Sequence, residues 1–302
     1  MMGPITRIVV ATDISDFASR AESRAALLAQ ELSSESLDLI HVIDSLALES
    51  LRNLTSPLDT EQRLMQGSRE QMAEIKRRLT ARYGIRVTTT TVNVGRADTE
   101  IAHYASLLKA GLVVLGAFGG GAVQKFIIGS TADKVLRTLS CPLLIVKQEP
   151  EASYRRVLVP VDFSESSHRA VELALTIAPH ANITILHAFE VPFEGRLDFS
   201  DERIQAFRAE VKTRINVVMQ KLLSDFEASG RSLAAVIELG PAADTVIKKA
   251  EEIGADLIVV GKHGKSGWES MLLGSVARRV IQEAACDVLV VEQAGALAQV
   301  SS

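Results

Sequence analysis

Two stretches of this chain have the residue types and spacing of a backbone phosphate site. The first reads Gly116-x2-Gly119-x9-Gly129-Ser130 and the second Gly261-x2-Gly264-x9-Gly274-Ser275, every position displaced by 145. Each follows a short apolar run and leads into helix-forming sequence, the setting in which free helix N–H groups and a glycine loop receive an anion. On this reading Gly116 and Gly261 turn the chain off a strand. Gly119 and Gly264 let the backbone approach a ligand with no Cβ in the way. Gly129-Ser130 and Gly274-Ser275 then open a helix whose dipole favours phosphate oxygens. The hydroxyls of Ser130, Thr131 and Ser275 offer further hydrogen bonds. His263 lies inside the second loop where the first has Phe118, so it is a ligand-contact candidate in one copy only. Glycines that merely end strands and begin helices are the plainer alternative.

An aspartate stands upstream of each loop at a matching place, in Arg7-Ile-Val-Val-Ala-Thr-Asp13 and Arg156-Val-Leu-Val-Pro-Val-Asp162. Asp13 and Asp162 suit a ribose hydroxyl or the outer shell of a Mg²⁺ ion; the plainer alternative is an N-cap or loop aspartate satisfied by backbone N–H groups. His41 and His187 occupy equivalent strand positions and read as packed residues rather than ligands. Trp268 reads as cover for apolar surface beside the second loop.

These residues need a scaffold, and the chain repeats one. β-Branched runs at 7–13 and 156–162 are strands, followed by helices at 16–32 and 164–178 with Ser15 and Ser164 as N-caps. Second strands follow at 37–43 and 182–189, then irregular stretches and long charged helices at 60–83 and 201–229 that stop at Gly84 and Gly230. Strand, helix, strand, glycine loop, helix and a fifth strand complete each copy. Alternation of this kind predicts an α/β fold of two tandem doubly wound domains, each a parallel sheet flanked by helices. The polar segment 148–153 divides domains at 1–148 and 154–302. In an open parallel sheet the ligand crevice lies at the carboxyl ends of the strands where strand order reverses, so each aspartate and its glycine loop should meet there.

Bulk composition narrows the function classes. The 302 residues carry a formal charge of −4, are 47% hydrophobic and only 4% aromatic. No basic stripe interleaved with aromatics points to nucleic acid, and no run of about 20 apolar residues points to a membrane span. The first ten residues lack the regions of a signal peptide, so a cytoplasmic location is expected. Cys141 and Cys286 are one position seen twice and read as small, reduced, buried residues.

The loop spacing, the strand-1 aspartate, the run Ala-Asp-Leu-Ile-Val-Val-Gly-Lys-His-Gly at 255–264 and Cys-Asp-Val-Leu-Val-Val at 286–291 together resemble the universal stress protein family. The first half follows the same plan in Leu-Val-Val-Leu-Gly-Ala-Phe-Gly and Cys-Pro-Leu-Leu-Ile-Val. The resemblance covers essentially the whole chain as a tandem pair. It implies five-stranded sheets of order 3-2-1-4-5, like those of adenine nucleotide alpha hydrolases, with ATP (or ADP or AMP) along the carboxyl edge and Mg²⁺ near Asp13 and Asp162. It further implies that Val42 and Ala188 offer backbone to adenine, while the glycines with Ser130 and Ser275 hold ribose and phosphates. Pairing of the two fifth strands would make an intramolecular pseudo-dimer, with a further homodimer and a protein partner left open. Gly111 replaces the aspartate found at Asp256, and the first loop is richer in glycine, so the second copy is nearer the family pattern.

The expected function is therefore an ATP-binding, nucleotide-responsive stress and regulatory protein. Two alternatives remain: a degenerate interaction or dimerisation module, and a slow ATPase. No Gly-x4-Gly-Lys-Ser/Thr, His-Ile-Gly-His or Ser-Gly-Gly-x-Asp-Ser motif is present, so a dedicated turnover enzyme is not indicated.

Overall fold

The computed structural model describes residues 4–52, 57–117, 129–191, 201–264 and 273–292. The first half runs β1 (Arg7–Ala11), α1 (Ala18–Glu31), β2 (Ser36–Asp44), α2 (Ser45–Arg52), α3 (Pro57–Tyr83), β3 (Val87–Gly95), α4 (Ala97–Leu107), β4 (Leu112–Gly116), α5 (Ser130–Thr138) and β5 (Leu143–Val146). The second runs β6 (Arg156–Pro160), α6 (Glu165–Ile177), β7 (Asn182–Phe189), α7 (Asp201–Ser224), β8 (Leu233–Leu239), α8 (Ala242–Glu252), β9 (Leu257–Gly261), α9 (Ser275–Glu283) and β10 (Asp287–Val291).

All ten strands form one sheet, in the order β3-β2-β1-β4-β5-β10-β9-β6-β7-β8. Pairing is parallel within each half, and β5 meets β10 antiparallel, with Ile145 opposite Val288 and Leu143 opposite Val290. The two five-stranded parallel sets are thus one mixed sheet, and their carboxyl ends point to opposite edges of it. The central strands are apolar without alternation because both faces are covered. Ile8 and Val10 of β1 pack with α1 and α3, whereas Val9 and Ala11 pack with α4 and α5. The same two layers continue across the junction: α6 and α7 lie with α1 and α3, and α8 and α9 with α4 and α5.

Local signals account for most element ends. Ser164 caps α6 by accepting from the Ser167 amide at 3.2 Å. Gly84 and Gly230 close α3 and the turn after α7 with φ of +65° and +67°, values that favour glycine. One expectation is corrected: the stretch after β2 is not irregular. Asp44 Oδ1 accepts from the Leu46 and Ala47 amides at 2.9 and 3.0 Å, nucleating the short helix α2, whose Leu48 is buried. The two cysteines are free; Cys286 is buried and Cys141 half-buried. Burial pushes their thiols up to about 12 and about 11, which keeps them protonated and unreactive.

Lys147, just beyond β5, donates to the Ala284 carbonyl of the other half at 2.5 Å. Burial there holds its ammonium down at about 8 instead of 10.5, against a weaker upward pull from Cys286 and Asp287. Between those two values the unfolded chain binds more protons, so this group makes stability rise with pH across that window. In urea unfolding from pH 7 to 10, the stability difference between wild type and Lys147→Met should move in favour of wild type. A pH-independent difference would contradict the assignment.

Candidate functional site

The second glycine loop begins where β9 ends. The Lys262 amide extends the ladder to the Val291 carbonyl at 2.8 Å, and the Gly274 amide donates back to the Lys262 carbonyl at 2.9 Å. The base of the loop is thereby closed by a backbone bond. The first loop is closed the same way, by Ala117 to Val146 at 2.8 Å and Gly129 to Ala117 at 3.0 Å. Residues 118–128 and 265–272 between these bases, including Gly119, Phe118 and Trp268, lie outside the described residues.

Each glycine at the described second loop has a steric reason. A Cβ on Gly274 would come within 3.2 Å of the Lys262 oxygen, and one on Gly264 within 2.7 Å of Asp162 Oδ2. Gly261 ends β9, where the chain leaves the sheet. Its backbone is not in the left-handed region; a Cβ there would meet the Ser166 side chain of α6 at 2.9 Å. The residue is small so that the start of α6 can lie against the end of β9.

Asp162 and Gly264 are therefore brought together at the crevice between β6 and β9, neighbours in the sheet. The Asp162 carboxylate is divided in its duties: Oδ1 accepts from the Ser164 amide at 3.0 Å, while Oδ2 faces the loop. Asp13 does the same with one oxygen, its Oδ1 accepting from the Ser15 amide at 3.1 Å and the Ser15 hydroxyl at 2.5 Å. Ser15 Oγ in turn accepts from Ala18 at the start of α1. Both aspartates thus accept from amides in the turn that precedes the helix, while the N-cap positions of α1 and α6 fall to Phe17 and Ser164.

Directly after each aspartate the backbone is strained. Ile14 and Phe163 have φ of +64° and +60°, unusual for a side chain branched at Cβ or carrying a ring. Different contacts hold the two turns. In the second half Phe163 lies 4.5 Å from the ring of His187, whose Nδ1 is 2.7 Å from the Val161 carbonyl. A carbonyl only accepts, so Nδ1 carries the proton. His41 makes the matching bond to the Thr12 carbonyl at 2.8 Å, which gives both histidines a structural role.

In the first half the Ile14 amide donates to Thr12 Oγ1 at 3.0 Å, and that hydroxyl donates to Glu22 Oε1 at 2.6 Å. Arg78 of α3 pairs with the other Glu22 oxygen. Burial pushes the Glu22 carboxyl above its ordinary value and the Asp13 charge adds to this, against the downward pull of Thr12 and Arg78. The positions equivalent to Thr12 and Glu22 are Val161 and Val171, so this polar chain exists in one copy only. Sequence reasoning missed it. The signal was a glutamate on the alanine face of α1 where the other copy has valine.

The remaining candidates lie along the same edges. Gly116 ends β4 opposite Val146, and Val42 and Ala188 lie half-buried on the parts of β2 and β7 that outrun β1 and β6. Gly129 and Gly274 are the N-cap residues of α5 and α9 and supply no side-chain cap, which leaves exposed Ser130, Thr131 and Ser275 at the helix starts. His263 Nε2 is buried without a hydrogen-bond partner. A pair not foreseen anchors this loop from below: Lys262 Nζ sits 2.6 Å from Glu292 Oε2, both largely buried.

With this geometry in view, comparison with known proteins is decisive for family. The model of the universal stress protein family matches residues 4–147 and again 153–292. The chain belongs to the universal stress protein family. It carries two such domains in tandem. A universal stress protein of Mycobacterium tuberculosis is 32% identical over 194 residues, 61% of this chain and 63% of that one, so the match spans less than two thirds of that relative. Another from Methanocaldococcus jannaschii is 32% identical over 151 residues, 47% of this chain and 85% of that protein. The crystal structure of a universal stress protein from Archaeoglobus fulgidus superposes with a TM-score of 0.72 at 22% identity, covering 95% of this chain and 98% of the other. That likeness establishes a shared fold.

The polar chain at Ile14 makes a quantitative expectation. Thr12→Val leaves the Ile14 amide and the buried Glu22 carboxylate short of a partner, at a cost of about 1–3 kcal/mol in urea unfolding. Combining it with Glu22→Val recreates the arrangement of the second half, and the double variant should cost less than the sum of the singles. Strict additivity would show that the hydroxyl and carboxylate act independently.

Proposed function

We propose that each half of this universal stress protein binds an adenine nucleotide at the carboxyl edge of its own strands, and that occupancy regulates the protein's interactions. The observation that carries the reading is the juxtaposition of Asp162 Oδ2 with Gly264 beside a loop whose base is closed by Gly274. Two features support it: a helix start without a side-chain cap and a buried imidazole nitrogen without a partner. Both suit a ligand with several acceptor oxygens. ATP is the favoured ligand, with ADP and AMP as the chemically equivalent choices at the base and ribose. Val42 and Ala188 would meet the base through backbone, Asp13 and Asp162 the ribose and metal side. Gly116, Gly119, Gly129, Ser130 and Thr131, with Gly261, His263, Gly264, Gly274 and Ser275, would hold ribose and phosphates.

The residues also bear on the metal. No group of three or more His, Cys, Asp or Glu gathers among the described residues, and each aspartate has one oxygen engaged in its own turn. The fit is to Mg²⁺ carried mainly by the nucleotide's phosphates, with Asp13 or Asp162 in its outer shell. The metal would supply charge neutralisation for the phosphates. The chain's own part is to orient the phosphates at the helix start and to keep the loop base dry. We assign the domains to 1–148 and 154–302, with one site in each.

Isothermal titration of ATP with Mg²⁺ into nucleotide-stripped protein tests this. Two sites per chain are expected, and Gly274→Val, which crowds the Lys262 carbonyl, should leave one while the unfolding midpoint shows an intact fold. Absence of binding at millimolar ATP, or unchanged stoichiometry in a folded Gly274→Val protein, would refute the assignment.

A further inference from the structure

The two halves meet through strands that are nearly interchangeable. β5 presents Leu143, Leu144, Ile145 and Val146, and β10 presents Asp287 followed by Val288, Leu289, Val290 and Val291. Apolar strands of this kind would pair with a copy of themselves almost as readily as with each other. Something else must make the pairing one-way.

A buried polar cluster lies across the junction. Arg24 of α1, almost wholly buried, places Nε 3.4 Å from Asp287 Oδ2 and donates through Nη1 to the Ala152 carbonyl at 2.7 Å. Its guanidinium carbon lies 4.1 Å from the centre of the Tyr154 ring. The Tyr154 hydroxyl donates to Asp287 Oδ2 at 2.7 Å. The other Asp287 oxygen accepts from the Lys147 and Gln148 amides at 2.8 and 3.0 Å. Arg20 donates to the Lys147 carbonyl at 3.0 Å and pairs with Glu149. The connection from β5 to β6 is thus stitched to α1 of the first half and to the start of β10 in the second.

The internal repeat shows what is unusual here. By the same alignment that matches the two strand-1 aspartates, Arg24 corresponds to Leu173 and Tyr154 to Ile5. By the alignment of the final strands, Asp287 corresponds to Pro142. All three counterparts are buried. The approximate two-fold relation between the halves therefore carries an ion pair and a tyrosine onto an apolar triad.

We infer that the Arg24–Tyr154–Asp287 cluster is a pairing key: it admits a first half only against a second half and rejects like-with-like association. Two first halves would set Arg24 against Pro142 and Ile5, a buried cation with no carboxylate. Two second halves would set Asp287 against Leu173, a buried carboxylate with no guanidinium. A buried ion pair adds little net stability over apolar packing, but a single buried charge without its partner is strongly disfavoured. The cluster's value is thus in specificity rather than strength, as in polar residues that set coiled-coil register. The partner it selects is the other half of this chain.

Refolding tests the key, because the pairing is chosen then. Wild type and Arg24→Leu/Tyr154→Ile/Asp287→Pro, which copies the apolar triad, are unfolded in urea, refolded over a range of chain concentrations and sized by light scattering. The wild-type mass should be the same at every concentration. The triple variant should add larger species whose share grows with concentration. If the triple variant does not refold, Arg24→Leu/Asp287→Asn, which removes both charges and keeps acceptors for the Lys147 and Gln148 amides, provides the same readout. A folded variant of either kind whose mass distribution matches wild type at all concentrations would overturn the inference.

Discussion

The antiparallel register of β5 against β10 is the constraint on which the rest of the molecule depends. Each of these strands would otherwise end its sheet with a row of unpaired amides and carbonyls, apolar on both faces. Their pairing removes both edges and makes two five-stranded sets into one sheet. It also sends the carboxyl ends of the two sets to opposite edges, which separates the two crevices. Because β4 and β9 are the neighbours of β5 and β10, the strands that launch the glycine loops lie one step from the junction. Val291 and Val146 accept the first amide of each loop base, so the junction strands also anchor the loops.

Duplication supplies two copies of a site, but burial has treated them differently. The same strained turn follows Asp13 and Asp162, yet one is held by a hydroxyl, a buried glutamate and an arginine, the other by a phenylalanine against a histidine. The first solution sets a buried carboxyl beneath its aspartate; the second sets an imidazole against the ring that follows its own. Below the second loop, Lys262 and Glu292 pair where the first copy has Ala117 and Lys147. Helix α1 carries two of the buried charged side chains, Glu22 turned toward the Asp13 turn and Arg24 toward the junction, where α6 has valine and leucine. The halves are alike in backbone and unlike in what their interiors can tolerate.

The architecture was legible in the sequence because its signals are local. Periodic apolar runs, Ser164 as a cap, and Gly84 and Gly230 as helix stops need no tertiary knowledge. The approach of Asp162 to Gly264 followed from the general rule for open parallel sheets. What escaped depends on contacts distant in sequence. Glu22 and Arg24 look like the solvent side of an alanine-rich helix, since charged residues are seldom buried. Only comparison with Val171 and Leu173 marks them. That Gly261 must also clear Ser166 was not legible, because that neighbour is nearly a hundred residues upstream in the chain. Helix α2 is short, and its start rests on one aspartate, Asp44, a signal too slight to read against the loop-like residues beyond it.

Amide hydrogen exchange tests whether the sheet is continuous through β5 and β10. If the junction is part of one cooperative core, the amides of 143–146 and 288–291 exchange as slowly as those of β1 and β6, through global unfolding only. If these segments exchange at the rate of exposed edge strands while β1 and β6 stay protected, the two halves do not share a sheet and the account fails.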